Sequence, residues 1–157
     1  MIVISDTSPI RYLCQIGRIE ILPEIFGSVI VPNAVAAELS REATPQAARD
    51  LIGNPPGWLL IRVPNSPIAV TGDFGDGEMQ AIALALELHA DYLIIDDLGA
   101  RTIAQQQKIA VIGTLGALKI AARRGLVALG QAINDLQLCG FYISDKLKAE
   151  ILEEPPS

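Results

Sequence analysis

The chain has little of the chemistry that most binding and catalytic sites depend on. Its 157 residues include two cysteines and one histidine. Cys14 and Cys139 stand far apart in apolar, helix-like runs, with no Cys-x-x-Cys pair and no Cys/His cluster. A structural zinc site and a disulfide framework are therefore excluded, and both thiols read as reduced core residues of a cytoplasmic protein. The single histidine, His89, closes a helical stretch and reads as a partner of the helix dipole. No Ser-His-Asp set or nucleophile elbow is built around it. There is no Walker loop, and no GxGxxG follows the first apolar run. No apolar run approaches the roughly 20 residues that span a bilayer. Residues 1–5 lack the basic region and cleavage site of a signal peptide. Basic residues are also scarce: 12 Lys and Arg stand against 18 Asp and Glu, for a net charge of −6. A broad basic face for nucleic acid is not expected. Contact with RNA or DNA calls for a local basic patch, a metal ion, or both.

What is present is an apolar chain with 19% charged residues, long enough to bury one core without staples. Short β-branched runs alternate with longer helical stretches. Strands are expected at Ile2–Ser5, Ser28–Val31, Trp58–Val63, Tyr92–Ile95, Ile109–Ile112 and Phe141–Ser144. Thr7-Ser8-Pro9 reads as a cap and first turn before a helix at Ile10–Ile16. Further helices are expected at Ile19–Phe26, Ala34–Arg41, Thr44–Ile52, Glu78–His89, Ala100–Gln107, Leu115–Arg124, Leu129–Leu138 and Asp145–Glu153. Pro64–Gly77, with Gly72, Gly75 and Gly77, reads as a flexible loop, and Pro155–Ser157 as a frayed end. Continuous apolar strands separated by helices predict an α/β fold: a three-layer α/β/α sandwich around a short parallel sheet of four or five strands. In such sheets ligands bind beyond the carboxyl ends of the strands, where strand order switches.

Acidic residues gather at those ends. Asp6 follows the first strand, and Asp96 and Asp97 follow Tyr92–Ile95. Glu78 opens the long helix before that strand, and Glu38 lies in the helix after the second. Carboxylates crowded on one rim repel one another unless a divalent cation neutralises them. Oxygen-only donors favour Mg²⁺ or Mn²⁺ over Zn²⁺, and such an ion supports phosphodiester hydrolysis. Each acid also has a plainer role open to it. Asp6 and Asp97 suit N-caps, and Glu78 suits a first-turn dipole partner. Glu38, taken alone, reads as a solvent-facing residue paired with Arg41.

Together these segments resemble the PIN-domain proteins. Ile4-Ser5-Asp6-Thr7-Ser8-Pro9 resembles their opening, with an aspartate ending strand one and hydroxyls following. Val29-Ile30-Val31-Pro32 with Val35 and Glu38 resembles their second strand and the helix bearing the second acid. Gly77-Glu78-Met79-Gln80-Ala81-Ile82-Ala83 resembles the segment of the third acid, and Leu93–Arg101 the acidic turn at a strand end. Val111-Ile112-Gly113-Thr114-Leu115-Gly116 resembles the strand and turn that follow. The subgroup it is most similar to is the uncharacterised branch related to VapC-type toxins, and the likeness covers residues 1–127. Residues 128–157 read as a helix-strand-helix extension of the same domain.

The resemblance implies a Mg²⁺- or Mn²⁺-dependent endoribonuclease, the toxin of a toxin–antitoxin pair. It further implies a single-stranded or structured RNA substrate, a small antitoxin partner and a homodimer. Carried over, Asp6, Glu38, Glu78 and Asp97 are the acids of the site, with Asp96 as an alternate for the fourth. Thr7 or Ser8 orients a carboxylate. Glu78 stands where many relatives have Asp, and Ile95 where many carry a threonine. Arg101, one turn after Asp97, is placed to reach a phosphate or to pair with Asp97. Arg11, Lys119, Arg123 and Arg124 are the other cations placed to help. Two readings of other classes stand beside this one. One is a non-catalytic PIN-like module that binds RNA or protein with a degenerate metal site. The other is a receiver-like phosphoacceptor domain, which fits poorly because the first strand ends in one acid.

Overall fold

A computed structural model of the chain describes residues 1–65 and 75–153. The order of elements is β1 (Val3–Ser5), α1 (Thr7–Gln15), α2 (Ile21–Phe26), β2 (Val29–Pro32), α3 (Asn33–Leu39), α4 (Gln46–Gly53) and β3 (Leu59–Arg62). It continues with α5 (Asp76–Glu87), β4 (Tyr92–Ile94), α6 (Leu98–Gln106), β5 (Val111–Ile112), α7 (Thr114–Arg123), α8 (Leu129–Leu138) and α9 (Asp145–Glu153). Most of the expected Pro64–Gly77 loop, Gly72 included, and the end Pro155–Ser157 lie outside the described residues.

Among the described residues five strands form one parallel sheet in the order β3-β2-β1-β4-β5. Successive side chains of a strand point to opposite faces, and here both faces are apolar. Val3, Val29, Val31 and Ile94 enter one core, against α1, α2, α3, α4, α7 and α8. Ile4, Ile30, Leu93 and Ile95 enter the other, against α5 and α6. This is the expected three-layer α/β/α sandwich, and it explains why the strands read as unbroken apolar runs. From β1 the chain builds outward to β3, then returns to lay β4 on the opposite side of β1. Strand order therefore switches between β1 and β4, whose carboxyl ends carry Asp6 and Asp96.

One expected strand does not form. Residues 141–144 have no regular structure. Their apolar alternation is met by packing instead of pairing. Phe141 sets its ring edge-to-face on Tyr12, with centroids 5.0 Å apart, and Ile143 is buried with Ile133 and Ile151. Tyr142 between them is exposed. The C-terminal extension is thus helix, irregular segment, helix, and β5 remains the edge of the sheet. Five helices, α1, α3, α5, α6 and α7, begin one to three residues earlier than expected. Helix α1 starts at Thr7 because Pro9 needs no N–H partner in a first turn. Helix α5 starts at Asp76 because the Glu78 side chain reaches back to the Gly75 N–H at 3.1 Å. Among the described residues no helix is long and apolar enough to cross a membrane.

The two cores carry the stability of the fold. Leu118 on α7 is fully buried, whereas Leu138 at the end of α8 is 87% exposed. Leu118→Ala is expected to cost about 2–5 kcal/mol, and Leu138→Ala less than about 0.5 kcal/mol. Urea denaturation of both variants against wild type checks the contrast; equal losses would contradict this packing.

Candidate functional site

Asp6 leaves β1 at the switch point, and its backbone N–H still bonds to the Ile94 carbonyl at 2.9 Å. That bond seats its side chain between the ends of β1 and β4. Asp6 occupies the N-cap position of α1, but its side chain makes no cap hydrogen bond. It is 4% exposed. Burial pushes its carboxyl up from 3.8 to about 7. The Thr7 backbone N–H opposes the rise, while Glu78, Glu38 and Asp96 add to it. Four carboxyls from four segments thus share one electrostatic neighbourhood, with no cationic group among the causes of the shift.

Glu38 does not face solvent as its isolated position suggests. It lies half-buried on α3, and Thr7 Oγ1 donates to its Oε2 at 2.6 Å. Its carboxylate also fills the space beside Gly77, where a Cβ would stand 2.7 Å from Glu38 Oε1. Glu78 belongs to the first turn of α5, with burial raising its pKa, the Gly75 N–H opposing, and Asp97 and Glu38 adding to the rise. The neighbouring Gln80 ties α5 to α3 by accepting from the Ala34 N–H at 3.1 Å.

The two aspartates after β4 have separate surroundings. Asp97 is exposed and caps α6, accepting from the Ala100 N–H at 2.8 Å; its influence reaches Glu78. Asp96 is half-buried and takes three donors. The Thr114 N–H meets Oδ1 at 2.7 Å, and the hydroxyls of Ser8 and Thr114 meet Oδ2 at 2.8 and 2.7 Å. Asp96 therefore ties the ends of β4, α1 and α7 together. Gly113 makes room for it, since a Cβ there would lie 2.9 Å from Asp96 Oδ1 and 3.5 Å from Arg101 Nη1. Arg101 is half-buried, and its pairing with Asp97 does not occur among the described residues.

All eight residues expected at the site, Asp6, Thr7, Ser8, Glu38, Glu78, Asp96, Asp97 and Arg101, fall on this rim. Sequence reading missed Thr114, the fully buried hydroxyl that holds Asp96, and the close-packed glycines Gly77 and Gly113. A Gly-Thr pair directly after an apolar strand was the available signal. Among the described residues, no three His, Cys, Asp or Glu side chains are gathered closely enough to hold a metal ion as they stand. The donors nevertheless suit Mg²⁺ or Mn²⁺ in kind: all are oxygens, and the Asp6 pKa is held up first by burial and then by the neighbouring acids Glu78, Glu38 and Asp96.

The sequence matches the PIN-domain family over residues 2–155. A solved PilT N-terminus domain protein from the hyperthermophilic archaeon Sulfolobus solfataricus P2 has a similar structure, with a TM-score of 0.56 and 16% sequence identity. The alignment covers 74% of this chain and 90% of that one, a likeness of fold. No curated protein matches the chain significantly.

The raised Asp6 pKa has a sign that can be tested. The folded chain holds this proton more tightly than the unfolded chain does. Its contribution to stability is complete below about pH 4 and is lost as pH rises through about 7. Asp6→Asn removes that loss. Its stability relative to wild type is expected to increase from about pH 4 to about pH 7, reaching on the order of 2–4 kcal/mol. Urea unfolding across that range reads it; a constant difference would contradict the burial of this charge.

Proposed function

The chain belongs to the PIN-domain family, whose members are generally nucleases, and from that premise we propose that it is a divalent-metal-dependent endoribonuclease. The observation that carries this reading is the nearly buried Asp6 at the switch point, its carboxyl raised to about 7 with Glu78, Glu38 and Asp96 contributing. A nest of acids without a cation destabilises the site unless binding repays it. In this reading Asp6, Glu38, Glu78 and Asp97 hold Mg²⁺ or Mn²⁺, and Asp96 stands beside them. When bound, such an ion polarises a phosphodiester and lowers the pKa of water, the nucleophile of the hydrolysis.

The chain's own groups have distinct tasks. Thr7 Oγ1 fixes the Glu38 carboxylate toward Asp6, and the Gly75 N–H fixes Glu78. Asp96, its oxygens occupied by Ser8 and Thr114, keeps the ends of β4, α1 and α7 in register. Arg101 supplies positive charge for the scissile phosphate. The toxin role, the antitoxin partner and a homodimer follow from the likeness to VapC-type proteins and belong to the same proposal, as does a cytoplasmic location.

A second reading has its own observation. Asp96 and Asp97 are already engaged by protein donors, and among the described residues no three-ligand group is assembled, as in a non-catalytic module. The two separate on metal. Wild type is expected to bind Mn²⁺ saturably in calorimetry and to cut single-stranded RNA, with Asp6→Asn losing both and turnover falling by at least about 100-fold. Gly77→Ala, which displaces only the flexible end of Glu38, is expected to reduce cleavage while the fold keeps its melting temperature. Absence of saturable Mn²⁺ binding in wild type would leave the binding module as the better reading.

A further inference from the structure

Asp96 belongs to two surroundings. It is one of the acids that raise Asp6, and it also lines a groove of about 490 Å³ formed by α6, β5, α7 and residues 141–147. That volume lies in the usual range of small-ligand sites, about 300–1,000 Å³. The lining is mainly apolar, and two of its side chains have little cover, Tyr142 at 85% exposed and Leu98 at 75%, with Leu147 partly open at 39%. Among the described lining residues Arg101 is the cation, and no described group pairs with its guanidinium. An uncovered aromatic ring, an aliphatic surround and one guanidinium beside an acid cluster match the parts of a nucleotide: a flat apolar base and an anionic phosphate.

An extended peptide fits less well. Strand β5 has two residues, and the carbonyls of Ala110 and Ile112 are taken by Leu93 and Ile95. Val111 alone in that strand faces outward with backbone groups to share, too little for strand addition. Tyr142 is held by its neighbours, since Phe141 is anchored on Tyr12 and Ile143 is buried. The ring is thus presented on a fixed segment, which lowers the entropy lost on stacking.

We propose that this groove is the subsite for the nucleotide flanking the scissile phosphate of single-stranded RNA, with Arg101 on a phosphate and the base stacked on Tyr142 beside Leu98 and Leu147. The proposal rests on the ribonuclease reading for its substrate, but not for its test. Fluorescence anisotropy of a labelled oligouridylate is measured at low salt in EDTA, where cleavage does not interfere, with wild type, Tyr142→Ala, Tyr142→Phe and Arg101→Ala. Tyr142→Ala is expected to weaken binding about 5- to 150-fold, and Tyr142→Phe to keep wild-type affinity. An oligonucleotide of the same length without bases is expected to bind wild type as poorly as the normal one binds Tyr142→Ala. Arg101→Ala is expected to lower both affinity and its salt dependence.

Equal affinities for wild type and Tyr142→Ala, indifference to the missing bases, or no binding by wild type would each overturn the subsite. If these failures come with a change in sedimentation of Tyr142→Ala, the groove is a contact between copies of the chain instead. The two proposals fail separately. Tyr142-dependent binding without cleavage in Mg²⁺ or Mn²⁺ would refute the nuclease and keep the groove as a nucleotide-binding site. Cleavage that Asp6→Asn abolishes and Tyr142→Ala leaves unchanged would do the reverse.

Discussion

The structure turns on a carboxylate placed where water cannot easily reach it. Desolvation makes a charge at Asp6 costly, and the surrounding acids raise that cost. The fold tolerates it because the strain is confined to the rim at the switch in strand order, while two apolar cores support the sheet from either side. The other acids of the rim are restrained by ordinary devices: a threonine hydroxyl on Glu38, a glycine amide on Glu78, a helix cap at Asp97 and three donors at Asp96. Asp6 stands at the N-cap position of α1 without a side-chain cap hydrogen bond, and the Thr7 N–H only partly offsets its burial.

The layered fold was legible because strand and helix periods differ strongly in this sequence. Val29-Ile30-Val31 and Leu93-Ile94-Ile95 are apolar at every position, which only a sheet covered on both faces explains. The segment 141–144 misled because alternating apolar residues satisfy a helix-lined pocket as well as a strand ladder. Nothing within four residues distinguishes Phe141 seeking Tyr12 from Phe141 seeking a sheet.

The site was legible as a set of acids and less so as a geometry. Position after a strand located Asp6, Asp96 and Asp97, but their different surroundings depend on groups distant in sequence. Thr114 decides what Asp96 does, and Gly77 decides where the Glu38 carboxylate rests. Neither carries a charge, so neither stands out by residue type. Glu38 itself was ambiguous because its one-turn neighbour Arg41 offered a local partner, whereas its actual partner, Thr7, lies 31 residues earlier.

The pairing of β1 with β4 also has a consequence in time. Ser8 and Asp96 are 88 residues apart, and the Asp96 clasp closes only on Thr114. A ribosome adds residues one at a time, and non-local pairings of this kind form late and slowly. During synthesis the first strands and helices emerge with Asp6 and Glu38 already present, yet the rim to which they belong has no second half. The nascent chain therefore lacks Asp96 and Asp97 for more than half of its translation, and the Asp96 clasp cannot close until the start of α7 has left the exit tunnel.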